Sequence, residues 1–307
     1  MKVSVAIVTY KRAWTLPYSL QSVADQKQMP DEVVVVLKPS GDKSEEIIES
    51  FKGSLNIRLV IQERGNFTDA VSMAIRHSTG DIVLFLDDDA VAHEEWVARY
   101  INVFTKYKDV GGASGLVYKA LLKDGSLVKT NEIFYPPVPT KPLPHRKPLA
   151  EYSEYCAWIS QSGFMGRKQC NNGIYKSALL GGVNMGLRRE LVHDCPLAEL
   201  YKQSRRGLWN ESLLAYCIRR KGFHTYFVQD PGLSPIVWHI AHPQSLTRTP
   251  GFWSEFWIHY DRVVMYKRLK ALGAQVSPWR YVLALAISLR KKPLSRLLAT
   301  LYALIAG

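Results

Sequence analysis

Four short runs of β-branched and apolar residues, each divided from the next by a stretch of helical periodicity, fill the first ninety residues. Val3–Thr9, Glu32–Leu37, Ile57–Ile61 and Ile82–Leu86 read as strands, and the unbroken apolar character of EVVVVL and IVLFL predicts burial on both faces. Between them, Ala13–Ala24 spaces Leu16, Leu20 and Val23 at helical intervals, and Ser44–Phe51 reads as a helix opened by Asp42 or Lys43. Asn66–His77 reads as a helix with Ala70, Met73, Ala74 and His77 on one face. Strand and helix alternating at this spacing means βαβ units with right-handed crossovers, hence an α/β fold with a mostly parallel sheet and helices on both faces. Ligands of such sheets collect beyond the carboxyl ends of the strands. Thr9-Tyr10, Lys38-Pro39-Ser40 and Asp87-Asp88-Asp89 all lie there and are expected to converge on one crevice.

Three adjacent carboxylates repel one another unless a cation or hydrogen-bond donors compensate. On an exposed turn they would be a solvated acidic loop. Capping a buried parallel strand, they predict a divalent metal site, and hard oxygen ligands suit Mg²⁺ or Mn²⁺.

Beyond residue 110 the pattern changes. Residues 110–135 read as one or two strands with an Asp124-Gly125 hairpin turn. PPVPTKPLPHRKP (136–148) holds six prolines and must be an extended, non-helical excursion. Ser160–Lys176 reads as a mobile loop. A helix follows at Glu211–Lys221, strands at Phe223–Val228 and Ile236–His239, and a helix from Trp253 that spaces Phe256, Tyr260, Val263, Val264 and Lys267 by threes and fours. Pro278 and Pro293 flank two short apolar stretches, the second carrying Leu294, Leu297, Leu298, Leu301, Leu304 and Ile305 on one stripe. With 307 residues, 47% hydrophobic and 22% charged, the chain can bury a real core, which excludes disorder and collagen-like repeats. The four cysteines lie apart with no CxxC pair, which argues against a zinc ribbon and a disulfide framework and fits a reducing cytosol. MKVSVAIVTYKR reads as a first buried strand rather than a signal peptide, and no run is long enough to span a membrane.

The segments VSVAIVTYKR, EVVVVLKPSGD, STGDIVLFLDDDA, LLGGVNMGLRREL and WNESLLAYCIRRKG, in this order and spacing, resemble the family 2 glycosyltransferases of the GT-A fold over residues 1–240. The resemblance implies inverting transfer from a nucleotide-diphosphate sugar, with Mg²⁺ or Mn²⁺ bridging the pyrophosphate. It implies a catalytic domain at 1–240, with a nucleotide-sugar-binding half (1–110) and an acceptor-side half (111–240). TGDIVLFLDDD matches the strand and DXD motif, which gives Asp87 and Asp89 to the ribose and metal, with Asp88 between them on the donor side. Thr9, Tyr10 and Arg12 match the donor side near the base. Gly181, Gly182, Asn184 and Trp209 match the acceptor side, where glycine permits close backbone approach; a plain turn before a helix is the alternative for the glycines. Counting back from Gly222, Asn210-Glu211 stands where relatives carry Glu-Asp, so Glu211 is the expected general base, with a reach one methylene longer. Its other reading is an acid in a first helical turn. His239 in IVWH matches a histidine near the metal, with His242 as the alternative. Lys38 stands where relatives that bind UDP often carry a base-pairing aspartate, and lysine cannot accept a base N–H. Lys38 is then free to face a phosphate or an acidic neighbour. A catalytically silent nucleotide-sugar or glycan-binding relative is the alternative to an enzyme.

Lys+Arg 40 against Asp+Glu 27 leaves a net charge of +13, which calls for an anionic partner. Residues 240–307 carry ten Lys+Arg and two acids, beside three tryptophans and the two apolar stretches. We therefore expect a basic amphipathic helical extension at 241–307 whose residues 276–307 contact an anionic membrane surface, or else pack as a lid or dimer contact. The acceptor would then be a glycan or lipid-linked molecule, and the protein cytoplasmic, peripheral on the inner membrane face. No nucleic-acid module is present to favour that partner.

Overall fold

The computed structural model describes residues 1–170, 173–241, 251–290 and 292–306. Its first ninety residues form β1 (Val3–Thr9), α1 (Leu16–Ala24), β2 (Glu32–Leu37), α2 (Ser44–Ser50), β3 (Ile57–Ile61), α3 (Phe67–His77) and β4 (Ile82–Leu86). Then come β5 (Ala90–Ala92), α4 (Trp96–Lys106), β6 (Val110–Ser114), β7 (Val117–Lys123), β8 (Ser126–Ile133), β9 (Ala157–Ile159), β10 (Met165–Arg167), β11 (Ile174–Lys176) and β12 (Asn184–Arg188). The chain continues through α5 (Arg189–Val192), α6 (Leu197–Leu200), α7 (Asn210–Arg220), β13 (His224–Val228), β14 (Val237–Ile240), α8 (Phe252–Ala271), α9 (Pro278–Ser288) and α10 (Pro293–Ala306).

An eight-stranded sheet runs β11-β13-β6-β12-β4-β1-β2-β3, with β12 antiparallel to both neighbours and β11 antiparallel to β13. The other pairings in it are parallel. The pleat explains EVVVVL: Val33 and Val35 pack with α1 and α4, while Val34 and Val36 pack with α3 and α7 on the opposite face. A second sheet, β5-β14-β7-β8, begins where β4 ends, so Asp87–Asp89 span the joint between the two sheets.

Several expectations change. Residues 110–135 form three strands; Asp124 (φ 49°) and Gly125 (φ 76°) make the hairpin turn, both left-handed as that tight connection requires. In α3, Asn66 is the cap, accepting from the Thr68 and Asp69 amides, and the buried stripe is Ala70, Val71, Ala74 and Ile75. His77 is exposed and Met73 only half-buried. Residues 160–176 are not a free loop, because β10 pairs with β9, β11 edges the large sheet, and Cys170 bonds to Cys156. Cys195 bonds to Cys217, with Cα atoms 6.1 Å apart. The expectation against disulfides therefore fails, and the argument for a reducing compartment fails with it. Cysteines 14 and 22 positions apart meet through tertiary folding, which no local spacing motif reports.

The C-terminal helices are docked on the body of the fold. Met265 and Leu269 of α8 enter the cluster shared by α3 and α7, while Phe256, Tyr260 and Val263 pack on Ala299 and Ala303 of α10. The small residues of α10 thus face inward, and its leucine stripe faces out: Leu294 is 62% and Ile305 86% exposed. Among the described residues, no helix is long and apolar enough to cross a membrane.

Candidate active site

Asp87, Asp88 and Asp89 turn the chain from β4 into β5. The Ala90 amide donates to the Asp87 carbonyl at 3.1 Å, and the Ile240 amide donates to the Asp89 carbonyl at 2.8 Å. That second bond, with His239 paired opposite Ala90, fixes β14 against the aspartate turn. Carboxylate oxygens of Asp87 and Asp89 and a ring nitrogen of His239 consequently lie within 4.8 Å of one another.

The chemistry of this set fits a divalent cation. His239 Nδ1 lies 3.2 Å from the Ile240 carbonyl, a contact that requires the proton on Nδ1. The Nε2 lone pair then points toward Asp89 Oδ1 at 3.4 Å, where two electron-rich atoms need a cation or a second proton between them. Phe134 stacks on the imidazole at 4.4 Å and holds the ring in that plane. Sequence reasoning did not find Phe134, which has no local signal beyond preceding the proline-rich segment.

Charge is concentrated here. Burial first, and then Asp89, Asp88 and Glu211, push the Asp87 carboxyl well above the usual carboxylate range, and Arg12 opposes them. Burial and Asp89 raise Asp88 to about 7, against the Thr9 hydroxyl, Arg12 and the Tyr10 amide. Arg12 is buried, 3.6 Å from both Asp88 and Asp89. One guanidinium thus shares two of the three carboxylates, so Arg12 supports the acidic turn directly.

At the ends of β1 and β2, Lys11 and Lys38 lie over the Tyr10 ring at 5.2 and 5.8 Å. The Lys38 ammonium donates to the Gly65 carbonyl at 2.8 Å. It meets a backbone oxygen there, not an acidic side chain.

Glu211 comes from the first turn of α7. Trp209 adopts a left-handed backbone (φ 61°), which swings the chain into the helix beside the acidic turn. Burial raises the Glu211 carboxyl to about 7, while its own amide and the Asn210 side chain pull the other way. The three atoms nearest a Cβ built on Gly182 all belong to the Glu211 side chain, so glycine leaves room for the carboxylate. Gly181 accepts from the Asn184 amide at 2.9 Å and closes the preceding turn.

Asn184 stands apart from this group. Fully buried, it accepts from Trp96 Nε1 and the Tyr100 hydroxyl, both at 2.8 Å, and donates to the Leu116 and Pro235 carbonyls. All four of its side-chain hydrogen-bonding valences are used within the protein, leaving none to meet an acceptor. His242, the alternative to His239, lies outside the described residues.

The fold and the sequence together define a glycosyltransferase. The glycosyl transferase family 2 model matches residues 4–165, over half of the chain, and the chain belongs to that family. It is 27% identical over 151 residues to the poly(ribitol-phosphate) β-N-acetylglucosaminyltransferase TarP of Staphylococcus aureus, covering 44% of this chain and 46% of that protein. It is 26% identical over 120 residues to a glucosyl-dolichyl phosphate glucuronosyltransferase of Haloferax volcanii, covering 38% of each. These matches thus span less than half the length of either relative. Among solved structures, S. aureus TarS with UDP-GlcNAc superposes with a TM-score of 0.54 at 16% identity, over 92% of this chain and 69% of that one. The mannosyltransferase PcManGT of Pyrobaculum calidifontis, with GDP-Man and Mn²⁺, gives 0.55 at 18%, over 100% and 76%. The fold is the GT-A glycosyltransferase fold.

Proposed function

We propose that this chain is a metal-dependent inverting glycosyltransferase, moving a sugar from a nucleotide-diphosphate sugar to an acceptor hydroxyl. The observation that carries the reading is the meeting of Asp87, Asp89 and His239 beside Glu211, at the carboxyl end of a parallel strand. Asp87, Asp89 and His239 would hold Mg²⁺ or Mn²⁺, which when bound neutralises the charge that builds on the departing diphosphate. Arg12 keeps Asp88 and Asp89 together; Thr9, Tyr10 and Lys38 border the donor's base. The Lys38 ammonium can donate only, so it suits a base carbonyl rather than a base N–H. Glu211 takes the proton of the acceptor hydroxyl as its oxygen attacks the anomeric carbon. The bond from that carbon to the phosphate oxygen breaks on the opposite face, and its electron pair leaves with the nucleoside diphosphate. A carboxyl held near 7 is matched to that task at neutral pH.

The outward leucine stripe of α10, with Trp279 56% and Val282 63% exposed on α9, supports peripheral contact with an anionic membrane and a lipid-linked or membrane-proximal acceptor. Lys292 and Arg296 are engaged by Glu255, and Arg290 lies in the connection between α9 and α10.

The test is donor hydrolysis and transfer across UDP-, GDP- and dTDP-sugars with Mn²⁺, using wild type, Asp89→Ala and Glu211→Gln. Each variant is expected to lose about 10²-fold or more. Unchanged turnover in both overturns the assignment; donor binding without turnover in wild type makes the protein a silent binder.

A further inference from the structure

A cavity of about 740 Å³ opens where the proline-rich segment, the 163–165 turn, the start of α7 and the C-terminal helices meet. Lys141, His145, Arg146, Arg262, Arg290 and Arg296 line it, and no Asp or Glu does. Arg296 is accounted for, since it forks Glu255 and donates to the Ser288 carbonyl. The other two inner guanidiniums are not. Arg146 donates to the Met165 carbonyl, but its Nε is buried with no hydrogen-bond partner among the described residues. Arg262 lies over the Trp209 ring at 5.3 Å and makes no hydrogen bond or ion pair among the described residues. Burial, then Arg296 and Arg146, lower its pKa to about 10, against Glu255, whose carboxylate is already forked by Arg296.

Desolvated like charges without a counter-ion cost stability, and a dianion between them relieves the cost through paired, charge-assisted hydrogen bonds. Trp209, on the cavity wall, precedes Glu211 by two residues. We infer that this cavity receives a phosphate group of the acceptor: Arg262 and Arg146 hold the phosphate oxygens, and Trp209 carries the attached sugar or polyol toward Glu211. The acceptor class is then a phosphorylated alcohol. This rests on the glycosyltransferase reading, because it gives Trp209 and Glu211 a substrate in common.

The main test uses wild-type protein, and one variant controls for a structural role. Wild-type protein is modified with phenylglyoxal, and Arg262, Arg146 and exposed Arg220 are followed by mass spectrometry. The probes are glycerol 3-phosphate, micelles of short-chain phosphatidic acid, glycerol, and sodium chloride at matched ionic strength. Phosphate is expected to slow modification of Arg262 and Arg146 about tenfold at a probe concentration ten times its midpoint. Arg220 is expected not to change. Protection by glycerol 3-phosphate supports a soluble polyol phosphate, and protection by the micelles alone supports a lipid phosphate. Equal protection by sodium chloride, or none by either phosphate, overturns the inference. Arg262→Met is expected to melt at the same or a higher temperature; a clear fall makes Arg262 structural and also overturns it. Calorimetry of UDP and GDP with Mn²⁺ on the same wild-type protein separates the two readings. Nucleotide binding without phosphate protection sinks the cavity assignment alone. Protection without any nucleotide binding sinks the glycosyltransferase reading and the acceptor role with it.

Discussion

Replacing Gly182 with alanine disturbs Glu211 without altering it. The three atoms nearest the added Cβ all belong to the Glu211 side chain, and Gly182 lies outside the left-handed region, so its backbone accepts alanine. What must move is the tip of a flexible side chain, from 2.4 Å out to ordinary contact at 3.4 Å or beyond, a shift of about 1 Å. A displacement near 1 Å of a reacting group costs about 10²-fold in rate, or about 2.7 kcal/mol in the barrier. Folding stability is expected to change by less than about 1 kcal/mol, since no core residue is repacked. Removing the carboxylate in Glu211→Ala costs about 10²- to 10⁴-fold. If Gly182→Ala acts only through Glu211, adding it to Glu211→Ala leaves nothing to collide with, and the double variant is no slower than the single. Transfer rates of the four proteins, with thermal melts of each, complete the cycle. Full activity in Gly182→Ala, or the same loss in both backgrounds, refutes the claim that glycine is there to admit the base.

Burial holds the His259 imidazole at about 3, between α8 and Thr300 of α10, whereas the unfolded chain titrates near 6.5. The folded pKa is the lower, so stability is complete above 6.5 and falls as pH drops toward 3. About 2 kcal/mol should vanish between pH 7 and pH 5, and melts of His259→Gln should lack that slope. Opening the Cys156–Cys170 and Cys195–Cys217 bridges should remove about 3 kcal/mol each, read as a fall in melting temperature on reduction; four titratable thiols in the unreduced protein would contradict it. Leu297→Glu with Leu301→Glu, 44% and 47% exposed, should abolish flotation with anionic vesicles and leave stability within about 0.5 kcal/mol. Persistent flotation removes the membrane reading of α10.

What the sequence discloses is whatever local period and a general fold rule can reach. EVVVVL and IVLFL declare buried strands, and the rule for parallel sheets then locates Asp87–Asp89 without further knowledge. Glu211 needed the family spacing, because an acid in a first helical turn has an ordinary explanation. Asn184 misled, since its motif position says nothing about Trp96, Tyr100, Leu116 and Pro235, which together use its whole amide. Periodicity found the stripe on α10 but not its direction: Ala299 and Ala303 let α8 approach closely, and the leucines are turned out. Arg146 and Arg262 were invisible as a pair, because segments more than a hundred residues apart supply them.

The chain's positive surplus and its acidic centre are two sides of one arrangement. Asp87, Asp88, Asp89 and Glu211 gather where, among the described residues, Arg12 and His239 lie against the aspartates, so a diphosphate approaching that turn would meet repulsion that a cation would relieve. On the other side of the α7 N-terminus the sign reverses, and Arg146 and Arg262 stand without an acid among the cavity's lining residues. The two fields ask different things of their occupants. On the proposed reading the donor would arrive with a cation, whereas a phosphorylated acceptor would need none, because Arg146 and Arg262 already supply positive charge. Glu211 follows Trp209 of the cavity wall by two residues, and burial raises its carboxyl to about 7. A neutral Glu211 weakens repulsion at the acidic turn, and an ionised one can accept the hydroxyl proton. If both proposals hold, the basic cavity orients the acceptor and the acidic turn selects a donor accompanied by its cation.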